Sequence, residues 1–212
     1  MNKSRKKREL PKKGSAYHHG QLKDALKSAA LEIVRDQGER SLTFRELAKR
    51  TGVTHTAPYS HFKNKEELLT ALATDGFVRL RERLEAASDH AGEDSLSRLA
   101  GSAQGYIDFA LEDRALHEIA FGGLGVLEPK SEGLRQADDE AFGFVRSLFE
   151  SASNDGSIRD LPSEKLTLVL WAALLGCAEA HRNGIARRRG IDELDDLVAV
   201  LLEVLLAGLV PR

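Results

Sequence analysis

Residues 41–65, SLTFRELAKRTGVTHTAPYSHFKNK, constrain this chain more tightly than any other stretch. Thr43-Phe44-Arg45-Glu46 has the form of a capping box, in which the Thr hydroxyl accepts a backbone N–H three residues on and the Glu reaches back. Leu42 and Leu47 stand at the staple positions on either side. Phe44, Leu47, Ala48 and Thr51 recur at helical spacing, and Gly52 supplies a left-handed stop. Val53 turns inward, and a second short helix is expected to carry Thr54 to Phe62. Pro58 restricts where that helix starts, because proline is tolerated only in the first turn. Asn64-Lys65-Glu66-Glu67 is a second cap with a box-like acid, opening a longer helix. Helix, glycine turn, short helix is the helix-turn-helix pattern, whose second helix enters the DNA major groove. A helical hairpin in an unrelated all-α core is the plainer alternative.

The same residues carry a family likeness. GVTHTAPYSHFKNKEELL resembles the recognition-helix signature of the tetracycline-repressor (TetR) family: Gly-Val-Ser/Thr, variable positions, Tyr, any residue, His-Phe, then Lys-Glu and paired leucines. LTFRELAKRTG resembles the helix before it, and the match covers residues 22–72, about a quarter of the chain. Pro58 stands where many members carry Leu. The resemblance implies an all-α fold: an N-terminal three-helix DNA-binding head, then a C-terminal helical domain for ligand binding and dimerisation. It implies a ligand-responsive transcriptional regulator, a repressor that grips a pseudo-palindromic operator as a homodimer and is released by a small molecule. An activator of the same fold, or a helical adaptor without a ligand, are the alternatives.

Charge agrees with a separate head. Residues 1–65 hold 16 Lys/Arg against 6 Asp/Glu, and residues 66–212 hold 15 against 27, so a formal charge of −2 hides segments of +10 and −12. Neutralising phosphates needs local rather than overall charge. Residues 1–20, with seven Lys/Arg and one acid, are expected to form a basic disordered arm. It is either an arm tracking phosphates or the minor groove, or a solubilising tail. His18-His19 has no third ligand nearby, so solvent-exposed imidazoles are expected rather than a metal site.

Apolar spacing gives the remaining order. Leu22, Leu26, Ala29, Ala30 and Ile33 predict a first helix over 21–37, closed by Gly38, so the head runs over 21–65. A connecting helix is expected over 65–88, with Leu68, Leu69, Leu72, Phe77 and Leu80 facing inward. In the family, the equivalent helix is the lever between body and head. The body, 66–212, continues with helices over 95–111, 114–121 and 134–152. Gly122, Gly123 and Gly125 mark a loop and have the wrong spacing for a dinucleotide motif. Pro162 precedes a strongly apolar helix over 163–183, and the last helix spans 194–209. Helices apolar nearly all round must be covered on more than one side, which points to a second copy. The resemblance implies the same: dimerisation through the last two helices. WAALLG at 171–176 is similar to a Trp-His-Gly (WHG) motif of one TetR C-terminal group, with Leu175 where the His would be.

Base reading needs side chains at the exposed start of the second short helix. Thr54, His55 and Thr56 occupy it, and Arg45 projects from the preceding helix as the one fork-shaped donor suited to guanine. Thr43, Tyr59, His61 and Lys65 match family positions that grip phosphates, with a cap, a core imidazole and a solvated ammonium as the plainer alternatives for Thr43, His61 and Lys65. The resemblance implies an internal effector site. Its candidate liners are Phe77, Tyr106, Phe109, His117, Phe121, Phe142, Trp171 and His181. Such a lining suits an apolar or aromatic molecule anchored at His117 or His181.

Other classes fit poorly. No Gly-x-Ser-x-Gly elbow, phosphate loop or His-Glu-x-x-His spacing occurs, so the chain reads as a non-enzyme without cofactor or metal. Cys177, the single cysteine, excludes an internal disulfide framework and suits a reducing cytoplasm. The longest apolar run, residues 197–210, is 14 residues, contains Glu203 and is too short to span a membrane.

Overall fold

Four helices begin on side-chain caps among the described residues. Thr43 Oγ1 accepts the Glu46 N–H at 3.2 Å, and Asn64 Oδ1 accepts that of Glu67 at 2.8 Å. Asp94 and Ser131 accept those of Ser97 and Leu134 at 2.9 and 3.2 Å. Each satisfies a helical N–H that would otherwise lack a partner. At the other end, Gly52 takes φ 69°, ψ 25°, the left-handed geometry that lets the chain leave the second helix. These signals set element boundaries in the computed structural model, which describes residues 19–121 and 131–211. The elements are α1 (His19–Gln37), α2 (Phe44–Thr51), α3 (Lys65–Ala91), α4 (Ser95–Glu112), α5 (Arg114–Phe121), α6 (Glu132–Asn154), α7 (Ser163–Arg182) and α8 (Leu194–Leu209). No strand occurs among the described residues, so the all-α expectation holds.

α1, α2 and the segment 54–62 pack into one corner through Leu26, Ile33, Leu42, Leu47 and Phe62, all buried. The rest is built around α3, which packs on α4, α5 and α6, while α7 and α8 close the far side. Arg159, in the link before α7, donates its backbone N–H to the Leu209 carbonyl at 2.8 Å and its guanidinium to that of Gly208. The last carbonyls of α8 are thereby satisfied. Among the described residues, no helix is long and apolar enough to cross a membrane.

One expected element differs. The segment 54–62 is not a continuous α-helix but a 3₁₀ turn, Ala57–Ser60, flanked by single turns. Its bonds run three residues back: Ala57 N–H to the Thr54 carbonyl at 3.0 Å, and Tyr59 N–H to that of Thr56 at 3.1 Å. Pro58 explains the change. It has no N–H to give Thr54, and its ring would strike that carbonyl in an α-helix. Several helices also run longer than apolar spacing marks: α1 begins at His19, α3 continues to Ala91, and α6 covers Glu132–Asn154. Capped, polar ends carry no apolar signal. The basic arm falls almost wholly, and the Gly122-Gly123-Gly125 loop entirely, outside the described residues.

The tightest packing lies between α3 and α4. A Cβ on Gly105 would stand 2.4 Å from the Arg83 carbonyl oxygen, and one on Gly101 would stand 2.6 Å from that of Ala87. Backbone meets backbone there, and no side chain can yield. Gly143, in the middle of α6, has nothing within 4 Å. Gly105→Ala is therefore expected to lower stability by about 1–3 kcal/mol. Gly143→Ala should raise it by roughly 0.5–1 kcal/mol through lost backbone entropy of the unfolded chain. Urea denaturation of both variants checks the pair, and equal shifts would contradict the close α3–α4 approach.

Candidate nucleic-acid interface and body cavity

The reading turn presents polar groups because its apolar ones are held down. Pro58 and Phe62 are buried, and the Phe62 N–H donates to the Pro58 carbonyl at 3.0 Å. Tyr59 is exposed yet packs edge-on against Phe44 of α2, with ring centroids 4.8 Å apart. Thr54, His55 and Thr56 are all exposed, and the two threonine hydroxyls lie 3.3 Å apart, one donating to the other. Arg45 is exposed on α2 and makes no ion pair among the described residues. Thr43 is exposed while its hydroxyl caps α2, and His61 is half-buried. Lys65 is engaged inside the chain: Nζ donates to the Glu39 carbonyl at 2.8 Å and faces the Glu39 carboxylate at 3.5 Å. That partner stands 26 residues earlier, in a turn that sequence spacing does not join to it.

In the body, seven of the eight candidate liners form one aromatic chain. Phe77 meets Phe121 at 5.3 Å, Phe121 meets His117 at 5.1 Å and Trp171 at 6.1 Å, and Trp171 meets Phe142 at 5.7 Å. Tyr106 and Phe109 flank His117 at 5.7 and 5.8 Å. Tyr106 Oη and His117 Nε2 are hydrogen-bonded at 2.9 Å in the buried centre. Packing here is nearly complete. The crevice beside Tyr106 and Trp171 has no more room than one water needs. His181 departs from this group: its Nε2–H donates to the Asp192 carbonyl at 3.0 Å, tying the segment after α7 back to that helix.

Beyond the aromatic chain, a cleft of about 200 Å³ opens between α4, α5, α7 and the start of α8. His117 lines it from the core side, His181 and Arg182 from α7, Arg114 from α5 and Arg187 from the turn before α8. Sequence spacing does not single out these arginines as a site. The run Arg187-Arg188-Arg189 was their one visible signal, since Arg114 and Arg182 stand too far apart in the sequence for spacing to join them. Among the described residues, no three His, Cys, Asp or Glu gather to hold a metal ion.

Comparison with known proteins places both halves. The family profile described as "Bacterial regulatory proteins, tetR family" matches residues 26–72, and "Tetracyclin repressor-like, C-terminal domain" matches residues 99–205. The class C tetracycline repressor of Escherichia coli is 51% identical over 51 residues, 24% of this chain and 23% of that one. The class A repressor from transposon 1721 of the same organism is 40% identical over 78 residues, 37% of this chain and 35% of that one. The chain thus spans about a third or less of these curated relatives. Among solved structures, a protein of unknown function from Rhodococcus sp. RHA1 is 28% identical with a TM-score of 0.82, over 93% of this chain and all of that one. The fatty acid degradation regulator FadR of Bacillus halodurans shares the fold at 17% identity and a TM-score of 0.71, over 89% and 96% of the two chains.

Burial, and secondarily the Arg182 charge, pushes the His117 pKa down from its ordinary 6.5 to about 4. The unfolded chain therefore binds more protons than the folded one between those values, and stability falls as pH drops from 6.5 towards 4. Fully developed, the loss is roughly 3 kcal/mol. His117→Gln should flatten this limb. Unfolding free energies measured across pH 4–7 test it. Parallel curves for wild type and His117→Gln would mean that His117 is not held neutral.

Proposed function

The chain belongs to the tetR family of bacterial regulatory proteins, whose members are helix-turn-helix transcription regulators, and we propose that it is a repressor acting as a homodimer. Residues 21–65 form its DNA-binding head and residues 66–212 its ligand-binding and dimerisation body, with α3 as the link. The observation that carries this reading is the reading turn itself: ordered by Pro58 and Phe62, yet exposing Thr54, His55 and Thr56 beside Arg45. Those four read bases, the threonine methyls meeting thymine and Arg45 a guanine. Thr43, Tyr59, His61 and Lys65 flank them as phosphate contacts, Lys65 sharing its charge with Glu39.

Dimerisation has its own support. Leu168 and Val169 of α7 and Val200 and Val204 of α8 are more than half exposed. Adjacent apolar residues on neighbouring helices make a patch that water does not favour. Gly176 and Gly208, on the same helices, have nothing within 4 Å of a Cβ position, so no packing within the chain requires them. A second copy seated on α7 and α8 covers the patch and sets the spacing of the two heads.

The body is linked to the head by packing that transmits displacement. A Cβ at Gly76 of α3 would lie 3.4 Å from Ala120 of α5, and α5 also touches α1. Lys27 of α1 donates to Asp75 of α3 at 2.8 Å. A small molecule that binds one head spacing better than the other releases DNA by that difference in affinity.

Fluorescence anisotropy with duplex DNA from upstream of the chain's own coding region tests the reading, at several salt concentrations. Two copies per site and a steep salt dependence are expected. Arg45→Ala should cost about 1–3 kcal/mol of binding and relax one operator position. Leu168→Glu with Val204→Glu should yield a folded monomer by light scattering, with operator binding lost. A wild-type chain that sediments as a single copy and prefers no duplex would overturn the proposal.

A further inference from the structure

The cleft between α4, α5, α7 and α8 is cationic in a body that is otherwise acidic. Arg114, Arg182 and Arg187 line it with two imidazoles, and no carboxylate is among its lining residues. Arg182 ion-pairs with Glu179 on its own helix, but Arg114 and Arg187 make no ion pair among the described residues. Like charges converging on one concavity repel one another, and residues 66–212 hold 27 Asp/Glu against 15 Lys/Arg, so paired arrangements were readily available. The Arg182 charge also reaches inward, lowering the pKa of both Tyr106 and His117 against or alongside the larger effect of burial.

The cleft is held open by structure. His181 fixes the Asp192 carbonyl, and the Ile185 and Ala186 N–H groups both donate to the Ala180 carbonyl, at 2.9 and 3.2 Å. Ala186 is buried, the Arg189 N–H returns to its carbonyl at 2.8 Å, and Gly190 closes the turn at φ 79°. Arg187 therefore projects from an anchored turn. Leu111 and Leu194 add apolar surface to the same cleft. At about 200 Å³ it is smaller than the roughly 300–1,000 Å³ of drug-sized sites, so its occupant is small.

We infer that this cleft binds a small amphipathic anion, its carboxylate or phosphate held by Arg114, Arg182 and Arg187 and its apolar part resting on Leu111 and Leu194. Guanidinium groups suit both anions because their paired N–H donors match two oxygens at once. The inference rests on the reading that the body takes an effector, and it replaces a purely apolar molecule with a charged one. The aromatic chain is too well filled to be the entry, whereas Arg114 and His117 both belong to α5, the helix packed on Gly76 of α3. An anion bridging Arg114 to Arg182 and Arg187 draws α5 towards α7 and so acts on the element that touches the head.

The test uses the full chain without DNA and three probes of equal length: hexanoate, hexyl phosphate and 1-hexanol. Calorimetric titration and thermal shift should show saturable binding of at least one anion and none of the alcohol, and the preferred anion identifies the headgroup. Arg114→Ala with Arg187→Ala should weaken that binding at least tenfold, while Lys165→Ala, on the exposed start of α7, should not change it. Arg114 and Arg187 are both exposed, so the double variant should keep its circular dichroism spectrum and melting temperature. If it does not, Arg187→Gln alone carries the comparison. Failure of both anions to bind, or equal affinity in wild type and variants, overturns the inference. Anion binding by a chain that recognises no operator would instead overturn the repressor reading and leave the site standing.

Discussion

The backbone-to-backbone contact of α3 with α4 is the constraint on which the rest of the molecule depends. Gly101 and Gly105 bring α4 against the carbonyls of Ala87 and Arg83, removing the usual layer of side chains between two helices. With α3 held there, its other sides take α5 and α6. A 27-residue helix rises about 40 Å, so fixing its C-terminal half in the body also fixes the direction of its N-terminus. That N-terminus is capped by Asn64, two residues beyond Phe62 of the reading turn. Body and reading turn are thus two ends of one rigid rod.

The polar surface of the turn at 54–62 follows from which residues the corner can bury. Pro58 and Phe62 go in, Tyr59 lies across Phe44, and Thr54, His55 and Thr56 are left facing water. Proline here has a cost and a use. It forbids an α-helix beginning at Thr54, yet its fixed φ preorganises a turn whose exposed polar groups stay in place. Lys65 joins the start of α3 to the Glu39 turn through both the Glu39 carbonyl and its carboxylate.

Legibility in the sequence tracked the range of the interaction. Thr43, Asn64, Gly38 and Gly52 act within four residues, and the elements they begin or end lie where those residues place them. The aromatic candidates were identifiable as apolar body residues, and seven of them do meet. Whether they enclosed space or filled it depended on how five helices packed, and they fill it. His181 was set among them by residue type alone, but its hydrogen bond to the Asp192 carbonyl turns it to another cleft. The arginines of that cleft stand at 114, 182 and 187, a separation at which spacing carries no information.

What the amino-acid order determined by itself was the α-helices outside the segment 54–62, most of their ends, the bar that Pro58 sets to an α-helix from Thr54, and the cationic third against an acidic remainder. These rest on caps, turn glycines, local periodicity and net charge, which act along the chain and need no partner from elsewhere. Tertiary structure decided the Lys65–Glu39 tie, the contact at Gly101 and Gly105, and the arginine-lined cleft. Each of those is a meeting of groups distant in sequence. Only the mutual burial of the helices brings such groups within the few ångströms at which sterics and charge act.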